Sequence, residues 1–306
     1  MDRLEAMSIL LLAVEKGSIT AAARAMRMPL PTASRKISDL EALLGARLLT
    51  RSTRKLALTD AGRAYAASAR RILEEVEAAE RAAAGEFTAP RGELILTAPV
   101  LFGRLHVLPV VADFLSAYPD ISVRLTLSDR NLHLLDDHVD MAVRIGRLPD
   151  SDLVATRIGE VRQIVCASPG FLALHGTPRS PDDLMNLACV TFDFDGPAAA
   201  WAFRAPGSRT GQPAPVHSRL SVSTAEAAVW AAEQGVGLTR VLEYQCADAL
   251  RRGSLRAVLR TFEPEPWPVN LLHASRGGMP VKMRAFLDFA APRLRRMLET
   301  IAHAPD

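Results

Sequence analysis

Between Arg3 and Gly45 the chain carries three short helical patterns separated by two abrupt stops, and that punctuation leaves few folds open to it. Leu4, Met7, Leu11 and Val14 recur at spacings of three and four, which predicts a helix over about 3–15 with one apolar stripe. Gly17 stops this helix and Ser18 can cap the next, where Ile19, Ala22, Ala23 and Met26 supply the buried side. The alanines there let another helix approach closely. Pro29 and Pro31 interrupt the second helix. A proline is tolerated in the first turn of a following helix, because its missing N–H has no partner there. A third helix is therefore expected over 31–44, with Ala33, Ile37, Leu40 and Leu44 inward, Thr32, Ser34, Arg35 and Ser38 outward, and Gly45 as its stop.

Two short helices across a tight turn, the second presenting short polar side chains and an arginine, make a helix-turn-helix suited to a major groove. The distribution of charge agrees. Net charge is only +3, yet residues 1–90 hold 14 Lys or Arg against 11 Asp or Glu, while the remaining 216 hold 23 of each. Within 24–59 stand eight basic residues and only two acids, Asp39 and Glu41, the footprint of a phosphate-binding surface. A solvated basic face would carry the same charges, so the helical pattern decides between them. After Leu48 and Leu49 comes the basic run 50–55, then a half-buried strand over 56–59, read together as a wing. Arg54 at its tip can reach phosphates or a narrow minor groove, and Lys55 touches backbone.

The run Gly17-Ser18-Ile19-Thr20-Ala21-Ala22-Ala23, the segment Pro31 to Ile37 with Leu40-Glu41 and Leu44-Gly45, and Arg51 to Gly62 resemble LysR-type regulators, as does the chain length. The resemblance implies an N-terminal all-α winged helix-turn-helix, a long linker helix, and a C-terminal α/β two-lobed domain of the periplasmic-binding-protein type that takes a small-molecule effector. It implies that Ser18, Ala21, Pro31, Thr32, Ser34, Arg35, Lys36, Arg51, Arg54 and Lys55 form the DNA interface, with Pro31, Ser34 and Arg35 reading the groove and Thr32 and Lys36 on phosphate. Leu30 and Leu49 depart from the family, which usually carries a polar residue and an aromatic there; Leu30 weakens one expected base contact.

Tyr65, Ala69, Ile72, Val76, Ala79 and Ala83 repeat at four and three, a heptad seam on a helix capped by Thr59 and ended by Gly85. Pairing of two chains through this seam would let a dimer, or a tetramer by further contacts, read paired half-sites; packing on its own domain would use the same periodicity. Thr88 to Gly92 reads as a hinge, after which strands and helices alternate. Strands are expected over 94–97, 121–127, 141–145, 161–167, 220–222, 236–239 and 269–274, and helices over 103–117, 225–234 and 281–301. The expected division is residues 1–59 for the DNA-binding domain, 60–87 for the linker helix and 92–306 for the effector domain, with lobe one about 92–162 and 268–306 and lobe two about 163–267.

In open α/β sheets ligands sit beyond the carboxyl ends of strands, where helix N-termini expose N–H groups. Pro99, Val100, Leu101 and Phe102 occupy one such turn and Ser223 and Thr224 another; the resemblance adds Ser128 and Arg144, the latter a partner for a carboxylate. A proline turn and a Ser-Thr cap serve structure equally well. Val100 and Leu101 stand where a hydroxyl is often found, which points to an effector with an apolar or aromatic part, such as an aromatic or organic acid. No G-x-S-x-G, H-E-x-x-H or P-loop pattern is present, the seven histidines show no ligand spacing, and Cys166, Cys189 and Cys246 form no pair. The expected protein is thus not an enzyme, has no metal or cofactor, and has no membrane span. It is expected in the cytoplasm, with promoter DNA, a small-molecule effector, a second copy of itself and, for an activator, RNA polymerase as partners. Two rivals share parts of this reading: a transport-type solute-binding protein, and an architectural DNA-binding protein with a vestigial sensor.

Overall fold

Asp2 opens the first helix, α1 (Arg3–Glu15), by accepting from the Leu4 and Glu5 N–H groups at 3.0 and 3.2 Å. The computed structural model to which this helix belongs describes residues 2–51, 56–83, 89–129, 139–148, 153–192, 200–204, 207, 211–274 and 279–302. It divides into two units, Met1–Gly92 and Glu93–Asp306.

In the first unit α1 packs with α2 (Ile19–Ala25), α3 (Leu30–Leu44) and α4 (Asp60–Ala83). Three neighbours bury a broader and rotated face compared with the expected stripe: Ala6, Ile9, Leu10 and Ala13 are fully buried, whereas Leu4 is 38% exposed. Small side chains take the crossing points because they permit close axial approach. Ala33, Ile37 and Leu40 of α3 are buried as expected, but Leu44 at the last turn is exposed. Gly45 ends α3 at φ 64°, a conformation that only a residue without Cβ takes cheaply. Behind it, β1 (Leu49–Arg51) pairs antiparallel with β2 (Leu56–Leu58) in the register Leu49↔Leu58, so the expected wing strand has a partner that the sequence reading did not assign. Thr59 Oγ accepts from Gly62 N–H at 2.9 Å, the expected cap of α4.

The second unit is built on two five-stranded sheets, the two-lobed α/β architecture that was expected. Lobe one contains β3 (Gly92–Ala98), β4 (Ile121–Leu127) and β5 (Met141–Ile145), ordered β4-β3-β5 with β3 and β5 parallel. Next come β6 (Leu153–Val161) of the same sheet and β7 (Gln163–Ala167) of the other. The single strand expected over 161–167 is therefore two strands in different lobes with Arg162 between them. The half-exposed edge strand β6, with Arg157, Gly159 and Glu160 in it, has no clean alternation to announce it.

Helix α5 (Val100–Phe102), a π-turn over Gly103–Val107 and α6 (Leu108–Ala117) follow β3 as one helical stretch. Pro109 has no N–H to give to the preceding turn, and the ladder is re-registered just ahead of it. By length and composition Val100–Ala117 is apolar enough to cross a membrane, but Phe102, Val107, Val111 and Phe114 are buried in the core of lobe one.

Lobe two adds α7 (Pro169–His175), β8 (Ala188–Phe192), the hairpin β9 (Ala200–Arg204) with β10 (Gly211–Pro215), and β11 (His217–Val222). It continues with α8 (Ala225–Glu233), β12 (Leu238–Leu242), α9 (Glu243–Arg251) and β13 (Arg256–Val258). Its sheet runs β11-β8-β12-β7-β13. The chain returns to lobe one through β14 (Trp267–Ala274), which lies between β5 and β6, antiparallel to both, and ends in α10 (Val281–Ala302). At the outward crossing, Arg162 grips Glu243 at the start of α9, its Nε 3.0 Å from Oε2, while its backbone carbonyl accepts from Glu243 N–H at 2.9 Å.

Candidate nucleic-acid interface and effector cleft

Helix α3 owes its exposed face to what its other side chains hold down. Lys36 is half-buried and ion-paired with Glu5 of α1, so the charge expected on phosphate is already partnered and ties α3 to α1. Glu41 Oε1 accepts from the N–H groups of Leu48 and Leu49 at 2.7 and 3.1 Å, fixing the start of the wing. Sequence reasoning gave Glu41 no role; its place four residues before the glycine stop was the available signal. What remains outward is Pro31 and Arg35, both exposed, with Thr32 and Ser34 half-buried beside them. The Arg35 side chain makes no hydrogen bond or ion pair with any described residue. Ser18 Oγ accepts from Ala21 N–H at 3.4 Å, so these two residues form the capped start of α2. The turn between the two helices needs Arg27 at φ 54°, a left-handed position without glycine. Arg51 lies in β1 against Leu56; Arg54 and Lys55 lie outside the described residues.

On α4 the seam divides. Ala69 is fully buried and Tyr65 packs on the core of its own unit, while Ile72 is 39% exposed and Val76 is half-buried. Burial raises the Tyr65 hydroxyl pKa, with the Arg3 charge opposing. The side chains of Ala79 and Ala83 are outside the described residues.

In lobe one the ends of β3 and β4 lie side by side, since Ser128 N–H donates to the Ala98 carbonyl at 2.9 Å. Leu101 and Phe102 point into the core and are 7% and 0% exposed, so Pro99 and Val100 form the accessible part of the turn. The helix N-terminus is not left open as expected: Val100 N–H donates to Asp129 Oδ1 at 2.9 Å. Arg144, on β5, is half-buried and donates to the Val143 carbonyl at 3.3 Å, and burial lowers its pKa. Facing this edge, Thr224 caps α8 by accepting from Ala227 N–H at 3.2 Å, with Ser223 exposed next to it. Glu226, in the first turn of α8, forms an ion pair with Arg104 of the π-turn, which brings the two expected turns to opposite sides of one opening. Behind Arg104, Tyr244 of lobe two sits edge-on to Phe102 and His106, with ring centroids 5.3 and 5.7 Å away. His106 Nε2 is buried with no partner among the described residues, and burial pushes its pKa down to about 4. Neither Tyr244 nor His106 was legible as a contact between lobes, because their encounter joins residues far apart in sequence. No group of three or more His, Cys, Asp or Glu able to hold a metal occurs among the described residues.

Residues 4–63 match the family model for bacterial regulatory helix-turn-helix proteins of the lysR family, and residues 88–295 match that for the LysR substrate binding domain. An HTH-type transcriptional regulator of Xanthomonas campestris pv. campestris is 34% identical over 92% of this chain and 82% of its own. Among solved structures, CrgA of Neisseria meningitidis, a LysR-type transcriptional regulator, is 31% identical with a TM-score of 0.60, covering 95% of this chain and 98% of that one. The full-length Vibrio cholerae virulence activator AphB is 28% identical with a TM-score of 0.60, over 94% and 98%.

Proposed function

The chain belongs to the LysR family of bacterial transcriptional regulators, and from that premise we propose how its surfaces divide the work. It is a transcription regulator with a helix-turn-helix DNA-binding domain and an effector-binding domain, and its relatives regulate transcription rather than catalyse reactions. Residues 1–59 read promoter DNA, 60–87 join two copies, and 92–306 take the effector between lobes of about 92–162 with 268–306, and 163–267. The protein works in the cytoplasm as a dimer or tetramer, and contacts RNA polymerase where it activates.

The observation that carries the DNA assignment is the face of α3, on which Arg35 and Pro31 stand exposed while Lys36 and Glu41 hold the helix from behind. Arg35 and Ser34 read base edges, Thr32 and the Ser18–Ala21 helix start contact backbone, and Arg51, Arg54 and Lys55 follow the wing. Effector enters beside Pro99, Val100, Ser128, Arg144, Ser223 and Thr224, its acid group toward Arg144. Binding there competes with the Arg104–Glu226 bridge and shifts the populations of lobe arrangements.

Footprinting of the full chain on the DNA flanking its own gene, at low and moderate salt, tests this assignment. A short interrupted palindrome protected at both salts is expected. Arg35→Ala should relax sequence preference at a cost of about 1–3 kcal/mol. Only diffuse, salt-labile protection, or an Arg35→Ala footprint equal to wild type, would remove α3 from the groove.

A further inference from the structure

A pocket of about 550 Å³ opens where the chain passes between the lobes, and none of the residues assigned above to DNA or effector line it. Lobe one supplies Arg147 and Arg157, lobe two supplies Arg204 and Arg240, and the returning segment supplies Glu265 and Trp267. A volume of this size suits a small organic molecule.

The charges do not balance. Arg157 is committed to Glu160, 2.6 Å away on its own strand. Arg147 and Arg204 face each other from opposite lobes with one carboxylate between them, Glu265, at 3.9 and 3.7 Å, both too long for hydrogen bonds. Arg240 has the Ala202 carbonyl at 3.2 Å and the Trp201 ring at 5.7 Å, and no carboxylate among the described residues. Burial pulls its guanidinium down to about 10, so it stays charged at neutral pH while short of solvent. Two arginines thus share one loosely held glutamate and a third has no carboxylate among the described residues, in a pocket with an indole and three prolines, Pro264, Pro266 and Pro268, as its apolar wall.

We propose that this pocket binds a small organic dicarboxylate, with one carboxylate on Arg240, the other taking the place of Glu265 between Arg147 and Arg204, and the carbon skeleton against Trp267. Planar guanidinium groups bind carboxylates in pairs of parallel hydrogen bonds, and the apolar wall selects against an inorganic anion of equal charge. Because Arg147 and Arg204 belong to different lobes, the bound dianion fixes the lobes relative to each other. This site is separate from the effector opening beside Val100 and does not depend on it.

The test is calorimetric titration of the full chain, at constant ionic strength, with succinate, adipate, phthalate and terephthalate, and with butyrate, benzoate and sulfate as controls. At least one dicarboxylate is expected to bind more tightly than every control. Arg240→Gln should weaken that binding by roughly tenfold or more, Arg240→Lys should restore part of it, and Arg204→Gln, at a half-buried position, should weaken it as well. Binding of none of the dicarboxylates, equal binding of sulfate, or full retention in both Gln variants would overturn the proposal. So would loss of the dicarboxylate in Arg144→Gln with retention in Arg240→Gln, which would place the ligand in the effector opening. The operator footprint of the unliganded protein reports separately on the regulator assignment, so either reading can fail alone.

Discussion

A single missing carbon fixes how the wing meets the rest of the first unit. A Cβ built on Gly62 would lie 2.0 Å from the Leu48 carbonyl oxygen, a backbone atom that Thr59 N–H and Thr59 Oγ also approach. Gly62→Ala is therefore expected to destabilise the chain by about 1–3 kcal/mol, read as a lower denaturant midpoint with unchanged slope. An unchanged midpoint would mean that α4 shifts freely. His106 makes a second prediction, about pH. Unfolded, it gains a proton near its ordinary 6.5; folded, it stays neutral to about 4 because burial disfavours the charged ring. Its contribution is complete above about 6.5 and is lost as pH falls from there toward 4. Wild type should lose more stability between pH 7 and 5.5 than His106→Leu, and equal losses would refute the assignment. Neither effect could be read from the residue alone, since a glycine inside a helix and a lone histidine are both ordinary.

At the scale of the element, α4 serves two purposes along its length. Its first turns are occupied by its own unit through Tyr65, Ala66 and Ala69, and the exposed Ile72 with Val76 leaves a seam to be filled. Pairing of two copies there predicts that replacing both Ile72 and Val76 by Asp lowers the sedimenting species to a monomer with native helix content. Retention of the native oligomer would assign assembly to another surface. The periodicity announced the whole stripe at once, yet it could not divide the stripe between a neighbour in the same chain and one in another. The crossing between β6 and β7 illustrates a different limit. Arg162 and Glu243 pair where their elements meet, and Glu243 is almost fully buried, so Glu243→Gln should cost on the order of 3 kcal/mol in denaturant unfolding. A loss below a few tenths would show that the crossing does not depend on the pair.

For the whole molecule, the helix-turn-helix and its capping, the strand of the wing and the alternation of strands and helices after Gly92 were legible, because each is a local matter, whereas β6, α7, β8, β9, β10, α9 and β13 were not assigned. Spacing along the chain states which side of a helix is apolar, glycine and proline state where it stops, and a cap needs only its own three or four residues. The tertiary structure alone decided the matters of proximity. It rotated the buried face of α1 because three helices lean on it, and it drew Lys36 onto Glu5. It filled the N-terminus of α5 with Asp129 and placed Tyr244 of one lobe against Phe102 and His106 of the other. It also set Arg147, Arg204 and Arg240, spread over 94 positions of sequence, around one pocket. Sequence patterns report what each residue can do within a few positions of itself. Which charges are already partnered, and which remain for DNA or a small anion, follows from contacts between distant segments that only the packed chain brings together.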